Sequence, residues 1–269
     1  MPEKIKKAER TAEDISEELL EKEITKELKV EDKRTDEEKR RDSRLDDEER
    51  AKESRIASWV PKTKLGKEVK LKTIKNIDEI IDAKKKILED QIVDSLLNVK
   101  SDLLFIGQSK GKFGGGKRRA WKQTQRKTKE GNVATFATLS VIGDENGHVG
   151  IGFGRAKETL PARDKSIRQA KLAIIKVTRA CASFDCACEE KHSIPFIVTG
   201  KSGSVRVTLI PAPQGTGLVA AGEMKKILKL AGVKDIYSKT SGTVSTTMNL
   251  AKATIDALKK TNKVMENKQ

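Results

Sequence analysis

The sequence predicts an α+β protein in which two small modules follow a charged extension. Alternating apolar residues on both sides of Asn146-Gly147 predict an antiparallel hairpin, and the amphipathic stretch after Pro161 predicts a helix packed on it. Further along, strand and helix patterns alternate, as in a small two-layer α/β sandwich. Because only 36% of the 269 residues are hydrophobic and 3% are aromatic, separately packed modules are expected rather than one large core.

Residues 1–55 form the charged extension. This stretch mixes both charge signs, with a slight acidic excess, and offers few apolar residues to bury. Its composition predicts a disordered or loosely helical segment. The extension is either a solvated tail or a tail that becomes ordered on an assembly surface.

The rest of the chain is strongly basic, because the acidic excess of the extension leaves it with more than the whole net charge of +16. Such a charge favours binding to a polyanion, since neutralised phosphates release their condensed counterions. The alternative is a basic protein whose charge prevents self-association. The sequence shows no signal-peptide pattern, no apolar run of the ~20 residues of a membrane span and an odd number of cysteines, so a cytoplasmic location is expected.

Residues 56–100 combine a basic segment with a helix. The basic segment, residues 59–66, is punctuated by Pro61 and Gly66. Apolar residues between positions 77 and 97 then recur at helical spacing, with Asn76 or Asp78 as the candidate N-cap. This pattern predicts a core-facing helix that is broken midway.

Residues 110–129 hold the densest positive charge and four glycines. Almost nothing there is suited to a core, so we predict a flexible loop that follows a phosphate backbone, with arginine forks as bidentate ligands. Trp121 either stacks on an unpaired base or covers a local hydrophobic spot. The candidate RNA-binding residues, including two beyond this loop, are Lys110, Lys112, Lys117, Arg118, Arg119, Lys122, Arg126, Lys127, Lys129, Arg155 and Lys157.

The two modules are predicted from periodicity. The first contains strands near 133–142 and 148–153 and a helix from Leu160 to about Val177. His148, beside the hairpin turn, is expected to be structural rather than catalytic. The elements predicted for the second module are strands at 205–210 and 233–237 and helices at about 223–231 and 250–260.

Between the modules, four soft or borderline metal ligands follow the pattern Cys-x4-Cys-x-Cys-x3-His. Together they would close a tetrahedral Zn(II) shell and leave no open catalytic position. The Cys-x-Cys step is tighter than common zinc-finger spacing, and the alternative is a group of reduced thiols that joins the modules without metal. The candidate ligands are Cys181, Cys186, Cys188 and His192.

Several strings, taken in order, resemble the small-subunit ribosomal protein five family in its archaeal form. The resemblance covers roughly residues 56–262, and the Cys-rich run followed by His-Ser-Ile-Pro is also similar to archaeal members. The strings stand at 59–66, 141–152, 171–174, 198–205, 210–217, 230–235 and 249–254.

This resemblance implies a double-stranded-RNA-binding-like first domain and a small two-layer α/β sandwich as the second domain. It further implies a structural constituent of the small ribosomal subunit that binds small-subunit rRNA and ribosomal proteins four and eight, near the mRNA entry and decoding region, and that supports assembly and accuracy. No membrane, small-molecule substrate or organic cofactor is expected. The expected divisions are 1–55, 56–100, 101–180 for the first domain, 181–195 for the Cys/His linker, 196–262 for the second domain and 263–269 for a tail.

One position departs from the family pattern. The family's first strand usually carries several Arg or Lys residues just after the loop glycine, whereas here Gly131 is followed by Asn132-Val133-Ala134-Thr135. Individual rRNA contacts are therefore not carried over. The hypothesis is that the basic residues at 117–129 replace them.

Two other classes of protein compete with the ribosomal one. Residues 213–221 vaguely resemble the glycine-rich phosphate loop of the GHMP kinases, but Val219 and Ala220 stand where that loop has serines, and no set of acid, base and metal ligands accompanies it. An enzyme is therefore not expected. The remaining alternative is a free regulator that binds double-stranded RNA.

Overall fold

The computed structural model describes residues 50, 54–109, 118–186, 188 and 190–266, with side chains up to residue 262. The chain divides into two units, Met1–Ser58 and Trp59–Gln269. In the first, residues 54–57 are helical and the Ser58 hydroxyl donates to the Arg55 carbonyl at 3.3 Å. The predicted disorder of residues 1–55 falls almost wholly outside the described residues.

The second unit begins with three short helices around a small core. Thr63 caps the first helix by accepting a hydrogen bond from the Gly66 amide, and the Glu89 carboxylate accepts from the Trp59 indole at 2.8 Å and the Thr63 amide at 2.6 Å. The predicted midway break is confirmed. The first helix was not predicted, because its residues are mostly basic and follow a proline. The helices are α1 (Lys64–Lys70), α2 (Ile77–Asp82) and α3 (Asp90–Leu96).

The first sheet has five antiparallel strands, and its long third strand holds it together. That strand pairs with the first and second strands along one edge and with the fourth along the other. The Asn146-Gly147 hairpin is confirmed, because Gly143 pairs with Val149 across it. The strands are β1 (Lys100–Leu103), β2 (Trp121–Thr128), β3 (Gly131–Gly143), β4 (His148–Ala156) and β5 (Ile174–Lys176).

Helix α4 (Thr159–Leu172) lies on one face of this sheet, over the glycines of β4. A Cβ at Gly150, Gly152 or Gly154 would run into the backbone of α4. The predicted end of this helix near Val177 is wrong, because the chain leaves the helix after Leu172 and forms β5 against β4. The apolar residues after the helix fitted its periodicity but belong to an edge strand.

The second sheet has the order β6-β7-β9-β8, with only the β8–β9 pair parallel. Both helices of this module cover the same face of the sheet. The predicted strand at 233–237 is placed too early, since residues 231–235 form the turn after a helix. The elements are β6 (Val198–Ser202), β7 (Val205–Pro211), β8 (Leu218–Val219), α5 (Gly222–Leu230), β9 (Ile236–Ser241) and α6 (Thr247–Glu266).

The two modules share one core, contrary to the expectation of separate packing. Leu139 and Val141 of β3 join the same buried cluster as Met224 and Leu228 of α5. Helices α5 and α6 therefore form a layer between the two sheets, and small aliphatic residues build a continuous core despite the low aromatic content. The order of layers is α4, first sheet, α5 with α6, second sheet.

His148 links the hairpin to α2 and has a structural position, as expected. Its Nδ1 lies 2.6 Å from Asp144 Oδ2, and its Nε2 lies 2.9 Å from Asp78 Oδ1. Burial opposes the charged imidazole, but the hydrogen bonds to Asp144 and Asp78 outweigh it and raise the pKa of His148. Burial likewise opposes charge on Asp144 and Asp78, yet their bonds to His148 lower both pKa values.

Replacing Gly152 by Ala should destabilise the protein by about 1–3 kcal/mol, because the new Cβ has to push α4 off the sheet. Gly222→Ala is the matched control, since a Cβ there meets open space. The measurement is chemical denaturation. Equal stabilities of the two variants would contradict the close helix–sheet approach.

The His148 bridge predicts a stability that falls at alkaline pH. Its contribution is fully present below the unfolded pKa of 6.5 and is lost as pH rises through the raised folded pKa. Denaturation of the wild type and of His148→Gln between about pH 6 and pH 9 should show a stability difference that shrinks with pH. A stability difference that stays constant over this pH range would contradict a stabilising contribution from the charged His148.

Candidate nucleic-acid interface and metal centre

Strand β2 and the first half of β3 form a basic, two-stranded ribbon, here called the basic ribbon (residues 121–137). Residues 121–127 are all exposed although they pair with β3. The predicted loop is therefore wrong for residues 121–128, which form a strand. The backbone hydrogen bonds of β2 are made with β3. The sequence did not indicate this pairing, because β2 lacks the apolar alternation that is typical of a strand. The loop prediction for residues 110–117, with Lys110, Lys112 and Lys117, lies outside the described residues.

The register of the sheet places basic side chains in rows. Lys122 pairs with Ala137, and Ala137 pairs with Arg155 of β4. Lys122 and Arg155 thus project from one face, about 10 Å apart across two strand spacings. Arg126 shares this face and Lys127 takes the opposite one, because successive strand residues alternate. These four cations are exposed, which suits contact with a phosphate backbone on either side of the ribbon.

The remaining candidate residues lie around the ribbon, with Arg118 and Arg119 before its base and Lys129 in the turn at its tip. Arg118 is exposed, but its guanidinium donates to the Ser245 carbonyl at 3.2 Å, so it also ties the ribbon to the second module. Arg119, Lys129 and Lys157 are exposed. Trp121 is 39% exposed on β2, a position compatible with stacking on a base and with covering a local hydrophobic spot.

The four predicted metal ligands converge. Their ligand atoms all lie within 4.8 Å of one another. The Cys186 and Cys188 sulfurs are 3.1 Å apart, the Cys188 and Cys181 sulfurs 3.5 Å, and Cys186 Sγ is 3.5 Å from His192 Nε2. A tetrahedral zinc with Zn–S bonds near 2.3 Å requires S···S separations of about 3.8 Å, so small adjustments of side chains would seat the ion.

A carboxylate lies behind the histidine. His192 is 1% exposed, and its Nδ1 lies 2.9 Å from Asp235 Oδ2, at ion-pair distance though without a linear hydrogen bond. The other oxygen of Asp235 accepts the Gly217 amide at 2.7 Å. Nε2 thus faces the thiols while Nδ1 faces a carboxylate, the arrangement that orients a metal-binding histidine.

Two thiols of the cluster, Cys186 and Cys188, have pKa values shifted in opposite directions. The hydrogen bond from Cys188, followed by the backbone amides of Cys188 and Gln214, lowers the pKa of Cys186 to about 6. The same hydrogen bond raises the pKa of Cys188 to about 12. One thiolate is therefore present at neutral pH, which is the form that binds metal.

Sequence reasoning missed Asp235, Asp144 and Asp78, which support the two histidines. Asp235 lies 43 positions from His192 and Asp78 lies 70 from His148. No local sequence pattern indicates a contact between residues so far apart in the chain. Only Asp144, four residues from His148 in the hairpin turn, carried a local signal.

The glycine loop at 213–217 lacks the geometry of a kinase phosphate loop. Gly215 and Gly217 have positive φ, but the chain then enters β8 rather than a helix N-terminus. Among the helices of the described residues, none combines the length and the apolar character that crossing a bilayer requires.

Comparison with known proteins identifies relatives over most of the chain. Residues 119–178 match the family described as ribosomal protein S5, N-terminal domain, and residues 200–269 match its C-terminal domain. A protein named small ribosomal subunit protein uS5 from Nanoarchaeum equitans is 49% identical over 210 residues, covering 78% of this chain and 90% of the relative. Proteins of the same name from Pyrobaculum islandicum and Thermofilum pendens are each 43% identical, covering 77% and 76% of this chain and 95% and 94% of theirs.

These relatives bear the name of a ribosomal protein rather than of an enzyme, in agreement with the prediction of a non-enzymatic protein. Two domain matches and an identity of 42–49% with archaeal proteins lead to one assignment. The chain belongs to the ribosomal protein S5 (uS5) family, in its archaeal form.

Proposed function

We propose that this protein is a structural constituent of the small ribosomal subunit that holds folded rRNA through phosphate contacts. The observation that carries the proposal is the basic ribbon, whose three cations on β2 are exposed, with Arg155 of β4 in the same row as Lys122. A protein enzyme would need a pocket with an acid and a base at hydrogen-bond distance from a substrate. The ribbon instead offers rows of cations, which suit a long polyanion.

The register also supports the replacement hypothesis for the family's missing charges. Positions 132–135 of β3 carry no Arg or Lys, but Lys127 pairs with Asn132 and Arg126 pairs with Val133. Directly opposed side chains in an antiparallel pair lie about 5 Å apart. Cations on β2 therefore reach nearly the same volume that cations on β3 would occupy.

The arrangement of strands and helix in the first module supports a likeness to a double-stranded-RNA-binding domain. Three antiparallel strands, β2 to β4, are followed by α4, which packs across one face of their sheet. We propose this likeness for the first domain, with domain limits at 101–180 and 196–262 around the Cys/His linker at 181–195. Such domains contact duplex RNA by shape and backbone, which fits recognition through phosphates.

Family membership extends the proposal to partners and place. We propose small-subunit rRNA and ribosomal proteins four and eight as partners, a position near the mRNA entry and decoding region, a role in assembly and translational accuracy, and residence in cytoplasmic ribosomes. The competing role is a free RNA-binding regulator. Stable co-sedimentation with small subunits at high salt supports the ribosomal role, and release at moderate salt supports the regulator.

We further propose that the Cys/His cluster holds one structural Zn(II). The convergence of three sulfurs and the His192 Nε2, with a carboxylate behind the imidazole, fits the ion. Bound zinc would supply a cross-link between residues 181 and 192. Among the described residues of the linker at 181–195, Ile194 is the one aliphatic side chain that is fully buried. Reduced thiols without metal remain the alternative.

Neutralising the basic ribbon should weaken rRNA binding and flatten its salt dependence. Changing Lys122, Arg126, Lys127 and Arg155 to Gln should reduce the slope of log affinity against log salt by about three to four, because each phosphate contact contributes about 0.9. Filter binding to a small-subunit rRNA transcript measures the slope. Lys85, Lys86, Lys225 and Lys252, exposed positions away from the ribbon, form the matched control set.

The ribbon proposal predicts different slopes for these two variants. An unchanged slope for the ribbon variant, or an equal reduction in both, would contradict the ribbon as the contact. The substituted side chains are exposed, so thermal melting should be nearly unchanged in each.

The metal proposal predicts about one zinc per purified chain and a melting temperature that falls on chelation. Asp235→Asn should lower zinc affinity about 10–100-fold, because the histidine loses its anionic partner, while Asn still accepts the Gly217 amide. Asp256→Asn, a carboxylate on α6 away from the cluster, is the control. If the purified protein lacks stoichiometric zinc and chelator does not change its melting temperature, zinc binding is contradicted and the cluster consists of reduced thiols without metal.

A further inference from the structure

The second sheet exposes its outer face, the one opposite α5 and α6. Its inner face is occupied, since Gly200 of β6 touches α6 and Val205, Val207 and Leu209 of β7 are fully buried. Alternation along each strand then defines the outer face by its residues. These are Thr199, Lys201, Arg206, Thr208, Ile210, Val219, Tyr237, Lys239 and Ser241.

The register orders this outer face into three rows. Lys201, Arg206 and Ser241 form the first row across β6, β7 and β9. The second row is Thr199, Thr208 and Lys239, and the two threonine hydroxyls lie 3.3 Å apart, which confirms that they share the face. Ile210, Tyr237 and Val219 form the third row.

The charge of this face has one sign. It holds the cations Lys201, Arg206 and Lys239 and no Asp or Glu. Within the described part of the chain, no ion pair joins any of these three to a carboxylate. Three such cations in adjacent rows of one sheet face, with no acid among them, make this face suited to a polyanion.

An aromatic ring lies beside the cations. Tyr237 is 41% exposed, in the row next to Lys239, and Val219 beside it is 48% exposed. The apolar part of this face is one row, which the exposed Ile197 extends before β6, and the other two rows consist of hydroxyls and cations. Most of the face therefore suits a polar ligand. An open sheet with a ring for a base and cations for phosphates is the chemistry of single-stranded RNA recognition.

We propose that this outer face is a second RNA contact, which binds an unpaired rRNA segment with a base on Tyr237 and its phosphates along Lys239, Arg206 and Lys201. The proposal rests on the ribosomal role for the identity of the RNA. It differs from the basic ribbon in position and in ligand, because the ribbon is proposed to follow the phosphates of folded RNA and the sheet face to hold an unpaired segment. The two surfaces lie on different sheets and leave the shared core between them.

The test uses the full chain and two probes, a single-stranded oligonucleotide on the order of ten nucleotides and a duplex of the same length. The triple variant Lys201→Gln, Arg206→Gln, Lys239→Gln should lower the salt slope for the single strand by about two, from about 0.7 per phosphate. The matched control is Lys85→Gln, Lys225→Gln, Lys252→Gln. Equal losses in both triple variants would overturn the proposal.

Tyr237 gives a second, charge-independent measurement. Tyr237→Ala should lower affinity for the single strand about fivefold or more and leave duplex affinity unchanged, whereas Tyr237→Phe should keep the wild-type affinity because the ring still stacks. Because Tyr237 is half-exposed, both variants are expected to fold, and melting curves check this. Equal affinity of the Ala and Phe variants would overturn the stacking contact.

The same assays separate this proposal from the ribosomal role. If the ribbon variant loses salt slope and the sheet variant does not, the sheet contact is overturned and the ribosomal role stands. Wild-type protein without rRNA affinity would overturn the ribosomal role itself. A sheet variant that binds both probes normally but fails to enter small subunits would identify the face as a protein-docking surface and overturn the RNA contact.

Discussion

The layer of α5 and α6, buried from both sides, is the constraint on which the rest of the structure depends. Its apolar residues join β3 on one side and the second sheet on the other in one cluster. Polar contacts fix the same layer, since the Phe105 amide donates to Glu223 at 2.9 Å and the Lys226 ammonium lies 3.9 Å from the Phe105 ring centroid. With the core concentrated between the sheets, the basic ribbon and the outer face of the second sheet remain exposed.

Charge in this protein is divided between fixed and free groups. Near the hairpin, acids and bases satisfy each other: His148 lies between Asp144 and Asp78, and Lys171 pairs with Asp94 at 2.6 Å between α4 and α3. Removing one member of such a pair leaves a buried charge without a partner. On the basic ribbon and the outer sheet face the cations have no such carboxylate partners among the described residues, so their charge faces the solvent. The net charge of the chain does not distinguish paired from unpaired cations, whereas the register of the strands shows which cations share an exposed face.

Local signals made part of the fold predictable. The hairpin at Asn146-Gly147 was found because its turn residues and flanking alternation lie within twenty residues. The Cys/His cluster was found from spacing alone. Strand β2 was missed because its stability comes from pairing with β3 rather than from an apolar face, and the end of α4 was misplaced because Ile174 fits a helix and an edge strand equally. Asp235 was missed because its partner lies in another segment of the chain.

The Cys/His cluster does more than close its own segment. Three contacts tie it to the second module: the Asp235 carboxylate approaches His192 Nδ1 at 2.9 Å, and the Lys234 and Asp235 amides donate to the His192 carbonyl at 2.8 and 3.2 Å. The Gln214 amide also stabilises the Cys186 thiolate. The glycine loop at 213–217 is thus held through Gln214 by Cys186 and through Gly217 by Asp235, and Gly217 leads directly into β8, which pairs with β9 at Tyr237. A change in the cluster would therefore reach the edge of the second sheet through the Asp235 carboxylate and the backbone pairing of β8 with β9, without passing through the apolar core.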